Sequence, residues 1–201
     1  MTRDRIRFVT AHYDQLQGLR LIPLGVYLLA LAASGLGWLS WLPGDPSRAP
    51  GRWLGAVFCG ALAAAVAATA WYRRRYGART PLSRGRRNAW IVLAVGIFLL
   101  AAQFDQYANG PVALAPLSVA AALVLTVRAD GWIRAHFLIA AAPWFAAAWI
   151  PMLHDDGTSR LVSYALAGGI ALIVCGVGDH RVLSRTLIDP DTTHGPHAGL
   201  L

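Results

Sequence analysis

The chain has 201 residues, 56% of them hydrophobic and 14% charged, with a mean hydropathy of +0.47, whereas an ordinary globular chain carries about 25% charged residues. Apolar runs long enough to cross a bilayer recur along it, which argues against a soluble enzyme, a nucleic-acid-binding domain and a disordered polypeptide. The formal net charge is +8, with all eighteen basic residues Arg and all ten acidic residues Asp; the lack of Lys and Glu removes Schiff-base chemistry and every Glu-dependent motif such as HExxH.

The first twenty residues place Ile6, Val9, Tyr13 and Leu16 at helical spacing, the pattern of a short amphipathic segment lying on a membrane surface. Six apolar runs then follow: Leu21–Leu42, Trp53–Tyr72, Ala89–Gln106, Val112–Val127, Trp132–Met152 and Leu161–Gly178. The first is too long for the apolar core of a signal peptide and reads as a retained helix. The fourth is the shortest; at 1.5 Å per residue it covers roughly 24 Å of a ~30 Å hydrocarbon core, so Arg128 must snorkel if it crosses. Pro23, Pro116 and Pro143 fall within the runs and are expected to kink them. Beyond residue 185 the tail lacks periodicity and is rich in turn formers, an expectation of disorder over 186–201.

Charge placement predicts how the chain threads. With the N-terminus inside, the inner segments hold Arg3, Arg5, Arg7, Arg20, Arg73–Arg75, Arg79, Arg84, Arg86, Arg87, Arg128, Arg134, Arg181 and Arg185, and the outer ones only Arg48, Arg52 and Arg160. That asymmetry fits an all-α bundle of six transmembrane helices over residues 21–185 with both termini cytoplasmic, the arginines meeting anionic lipid head groups. Seven of the eight tryptophans fall near predicted span ends, as interfacial indoles do; Trp144 sits deeper. The Arg-, Ala- and Gly-rich composition hints at a GC-rich bacterial genome, hence an inner membrane.

Hydrophobic burial does not drive helices together in lipid, so close backbone approach must. The second span carries a small-residue stripe, Gly55, Cys59, Ala63 and Ala67, widened by Ala56, Gly60, Ala64 and Ala68; the sixth carries Ala165, Gly169 and Gly176. These two helices are expected at the centre of the bundle or at a self-association surface, with a homo-oligomer or another membrane protein as partner. Against that stands the frequency of Ala-rich spans in any GC-rich proteome. Cys59 and Cys175 lie at different predicted depths, too far apart for a disulfide.

Three polar clusters are candidates for chemistry. Gln103, Asp105, Gln106 and Asn109 close the third span on the outer side, where a carboxylate is costly unless water or an Arg satisfies it. His154, Asp155 and Asp156 in the following outer loop are weak metal-ligand candidates that also spell an ordinary turn. Asp179 and His180 near the inner end of the sixth span suit a proton relay or, more simply, an ion pair with inner-loop arginines and a helix cap, with His136 in reach. No cofactor motif and no catalytic signature is legible. His12–Gly25 (HYDQLQGLRLIPLG) and Gly178–Leu187 (GDHRVLSRTL) resemble the ends of small bacterial multi-pass membrane proteins without an assigned activity; the resemblance implies a membrane location. The expectation is a non-catalytic inner-membrane scaffold, permease subunit or regulatory partner. The alternatives are a small transporter or channel whose cavity reaches Asp105 or Asp179, and a membrane-embedded metal-dependent enzyme.

Overall fold

The computed structural model describes residues 18–38, 50–76, 84–108, 110–130, 132–153 and 157–187. Among them every regular element is helical. A 3-10 turn, Gly18–Arg20, leads into α1 (Ile22–Gly35); α2 (Pro50–Tyr76), α3 (Arg84–Ala108) and α4 (Leu114–Asp130) follow. A second 3-10 turn, Trp132–Arg134, precedes α5 (His136–Ala147), the single-turn α6 (Ile150–Leu153) and the long α7 (Gly157–Leu187). The amphipathic N-terminal segment, the His154–Asp156 loop and the tail from 188 lie outside the described residues; the helix itself continues through Leu187.

Three helical stretches are long and apolar enough to cross a membrane: Gly18–Gly35, Trp53–Arg75 and Ser159–Arg185. Val92–Asp105, Leu114–Ala129 and His136–Met152 are apolar but shorter, so the structure carries three such spans where the sequence pattern reads six.

Two of the runs end early for a local reason. The first apolar run extends to Leu42, yet α1 stops at Gly35. Gly37 adopts φ +73°, and the amides of Gly37 and Trp38 fold back onto the carbonyls of Ser34 and Ala33, both at 3.0 Å, the paired bonds of a Schellman stop. The fifth run is broken after Ala148 because Pro151 has no N–H to give the carbonyl of Ala147, four residues back. The Ala148 carbonyl instead accepts the Ala113 N–H at 2.8 Å, which ties the start of α4 to the end of α5. Pro23 and Pro116 fall in the first turns of α1 and α4, where a missing donor costs nothing, so neither kinks a span. Pro143 alone of the three lies inside a helix, α5.

The helices pack in the order α2, α1, α7, α5, α4, α3. The centre is α7, with 39% of its apolar window buried against 17% for the stretch containing α1 and 6% for α2. α1 runs antiparallel to α7 on paired glycines. A Cβ at Gly25 would lie 2.8 Å from the Gly169 carbonyl oxygen, and one at Gly176 2.8 Å from that of Gly18. Only bare backbone permits this approach. On the other flank Ala140 of α5 meets Ala171 and Cys175 of α7, with Leu21, Leu123, Phe137, Trp144 and Val174 around them. Trp144 stands between Phe98 and Tyr164 and over Gly168.

The sixth predicted span is therefore central, and its Gly169 and Gly176 are contact residues. The second span lies at the edge of the series. Gly55, Cys59, Ala63 and Ala67 are all exposed, and a Cβ at Gly55 or Gly60 meets nothing within 4 Å. α2 is held on α1 by such contacts as Tyr27 against Phe58, ring centroids 5.1 Å apart; Ala61 and Tyr72 are its buried residues. Both cysteines are free, Cys59 exposed and Cys175 buried.

Candidate functional site

The predicted polar residues gather at two opposite ends of the bundle. At one end Asp105, in the last turn of α3, turns its carboxylate onto the start of α4. Oδ1 accepts the Leu114 N–H at 2.7 Å and Oδ2 the Ala115 N–H at 2.8 Å. The opening turn of α4 has orphan amides and Pro116 offers none, so a carboxylate borrowed from the previous helix satisfies two donors and meets the positive end of the helix dipole. Arg160 of α7 donates from Nη1 to the Asp105 carbonyl at 3.2 Å. Gln103 donates to the exposed Tyr107 hydroxyl at 3.3 Å, one turn along α3. The Asp105 carboxylate is thus a structural cap joining α3 and α4, with Arg160 bringing α7 to the same corner.

At the other end Asp179, 2% exposed, faces the corner between α4 and α5. His136 Nε2 stands 3.1 Å from Asp179 Oδ1, and Arg134 Nε 3.6 Å from the same oxygen. A carboxylate only accepts, so the proton of this bond sits on His136 Nε2. Gly178 makes the arrangement possible, since a Cβ there would fall on the His136 ring. The Arg134 guanidinium also lies 5.3 Å over the centre of the Phe137 ring, a cation–π contact that supports a buried cation. Arg134 is itself 4% exposed, so charge and countercharge are sequestered together, as buried ions must be.

His180, the next residue, points away from Asp179 because successive helical side chains diverge by about 100°. It is not a helix cap, since α7 continues seven residues beyond it to Leu187. Its Nδ1 lies 2.8 Å from the hydroxyl of Tyr72, a side chain with no exposed surface. The same hydroxyl accepts the Leu19 N–H at 3.3 Å. Tyr72 thus pins the last turn of α2 to α7 and to the turn that opens α1.

The two clusters do not converge. Asp105 is placed by Arg160, and Asp179 lies nineteen positions further along α7, roughly 28 Å at 1.5 Å per residue. Among the described residues no three His, Cys, Asp or Glu side chains stand close enough to hold a metal ion. His154, Asp155, Asp156 and Asn109 lie outside the described residues, and Gln106 is described only as part of α3. The sequence pattern pointed to Asp105, Asp179, His180 and His136. It gave Asp179 an inner-segment arginine without singling out Arg134, and it missed Tyr72 and Gly178, although Gly178 directly before the Asp–His pair is a legible sign of close approach. No family model matches the chain, and no curated protein or solved structure is significantly similar to it.

Proposed function

We propose that this chain is a non-catalytic protein of the bacterial inner membrane. It is a six-helix bundle with both termini cytoplasmic, acting as a scaffold, permease subunit or regulatory partner through the outer face of α2. The observation that carries this reading is the contrast between two sets of small residues. Gly25 and Gly169 are used within the chain to bring α1 and α7 into backbone contact. Gly55, Cys59, Ala63 and Ala67 on α2 are left facing outward, the surface on which another transmembrane helix approaches closely. The topology is supported by the helix ends: Arg20, Arg73–Arg75, Arg128, Arg134, Arg181 and Arg185 all belong to the Asp179 end, Arg160 to the other.

Asp105 and Asp179 also favour a supporting bundle over a conduction path or a metal enzyme. Each carboxylate is committed to protein donors, and a transport or catalytic role would first have to release it. The native Cys59 supplies the test. In native membranes a short membrane-permeant bis-maleimide is expected to give adducts, with a second copy or another membrane protein, that disappear in Cys59→Ser; Cys175 is buried and stays silent. A chain that yields no Cys59 adduct and runs as a monomer in mild detergent refutes the assembly role.

A further inference from the structure

We propose that the last turn of α2 and the stretch of α7 from His180 to Arg185 beside it form a binding site for the phosphate groups of anionic membrane lipids. Both helices run toward this end, and the Tyr72–His180 contact at 2.8 Å sets them side by side at one level. Arg73, Arg74 and Arg75 follow Tyr72 on α2, Arg181 and Arg185 follow His180 on α7, and all five are exposed. Four of them, Arg73–Arg75 and Arg181, lie within roughly 5 Å of the contact along the helix axes. Arg20, half-buried at the end of the first turn, comes next to Leu19, which donates to the same tyrosine.

No carboxylate on either helix competes for these cations. α2 contains no acidic residue, and the one on α7, Asp179, is buried toward Arg134 and His136. A guanidinium presents a planar fork of donors that matches two phosphate oxygens, which favours a directly contacted phosphate over a diffuse counterion. The last-turn carbonyls of α2 carry partial negative charge, so the phosphate sits over the arginine side chains and off the helix axis. Apolar residues precede the site on both helices, and acyl chains continue down the exposed face of α2, where Leu62 and Val66 are uncovered. Charge complementarity together with that apolar continuation selects a lipid rather than a soluble anion. The inference rests on the membrane reading and not on the assembly role of α2; a monomeric chain that retains anionic lipid would fail the one and keep the other.

The full-length chain in neutral detergent is titrated with phosphatidylglycerol, phosphatidylcholine and inorganic phosphate, and adducts are read by native mass spectrometry. Phosphatidylglycerol is expected to bind as a discrete adduct and phosphatidylcholine not to. Removing a basic residue near the head groups costs about fivefold in affinity, ~1 kcal/mol. The triple variant Arg74→Gln, Arg75→Gln, Arg181→Gln is then expected to lose roughly a hundredfold, while Lys at the same positions keeps most of the binding. Tyr72→Phe leaves every charge in place but unties the two turns, and is expected to weaken the adduct, which a simple sum of charges does not predict. Wild-type affinity in the Gln variant, equal binding of phosphatidylcholine, displacement by inorganic phosphate, or no effect of Tyr72→Phe each overturns the site. Should the Gln variant not fold, a salt titration of the wild type decides. Between about 0.1 and 1 M salt the screening length falls from about 10 to 3 Å, and lipid that stays bound contradicts the proposal.

Discussion

Replacing Gly169 by Ala puts a methyl group where two helix backbones already touch. The new Cβ would lie 2.9 Å from the Gly25 carbonyl oxygen and 2.7 Å from Cδ2 of Leu29, well inside the 3.5–4.0 Å of an ordinary carbon contact. Leu29 can rotate; the carbonyl cannot, so α1 and α7 must part by about 0.5–1 Å. A gap of that size forfeits a quarter to a half of each dispersion contact along the seam, and overpacking of this kind costs about 1–3 kcal/mol. The better helix propensity of Ala returns up to ~1 kcal/mol. A net loss of about 1–2 kcal/mol is expected. Gly96 on α3 is the matched control: nothing lies within 4 Å of a Cβ there, so Gly96→Ala collects only the propensity gain of about 0.5–1 kcal/mol. Reversible unfolding in mixed micelles, followed by tryptophan fluorescence, reads both. Opposite signs are expected, and a Gly169→Ala protein as stable as Gly96→Ala would refute the glycine seam.

The other substitutions test the two polar ends. Asp105→Ala strips the cap from α4 and is expected to cost about 1–2 kcal/mol, with faster hydrogen exchange at the Leu114 and Ala115 amides; Asp105→Asn, which keeps one acceptor oxygen, should recover part of both, and unchanged exchange would contradict the cap. Asp179→Ala removes the buried carboxylate that faces Arg134 and His136 and is expected to cost about 3–5 kcal/mol, whereas Asp179→Leu combined with Arg134→Leu should restore most of it. If the double variant falls further than either single one in the same unfolding assay, the pair is not the buried ion pair described. Gly178→Ala drives a methyl into the His136 ring and should destabilise by about 1–3 kcal/mol, with Gly178→Ala in a His136→Ala background nearly neutral.

Much of this was legible in the sequence, and the misses share a cause. Helix content, the positions of the apolar runs and the clustering of arginines at one end follow from composition and periodicity, which are local properties. The small-residue stripes were legible as well, but not which helix each would meet. Gly169 found Gly25 on α1 and Gly176 found Gly18 in the turn before it, while Gly55 and Gly60 of the stripe on α2 meet nothing within 4 Å. That choice depends on which glycines face each other across the bundle, and Gly18 and Gly25 lie in a segment whose pattern showed no stripe. Asp105 was visible as a costly carboxylate; its use was not, because the amides it caps come from the opening of another helix. The break in the fifth run was written in Pro151, four residues beyond Ala147, yet a window average of hydropathy passes over one missing donor. Tyr72 was hidden for a related reason. At the end of an apolar run and before three arginines it reads as an interfacial ring, whereas tertiary packing buries it against His180.

Sidedness is the claim on which the bundle, the two polar ends and the lipid site all depend. Tyr107, Arg74, Arg128 and Arg185 are exposed near helix ends, and each can be changed to Cys in a chain whose Cys59 and Cys175 have been replaced by Ala. An impermeant maleimide applied to sealed right-side-out and inverted vesicles then reads their locations. Arg74→Cys, Arg128→Cys and Arg185→Cys are expected to react only from the cytoplasmic side and Tyr107→Cys only from the opposite one. Labelling of Arg128→Cys and Arg185→Cys from opposite sides would contradict the account.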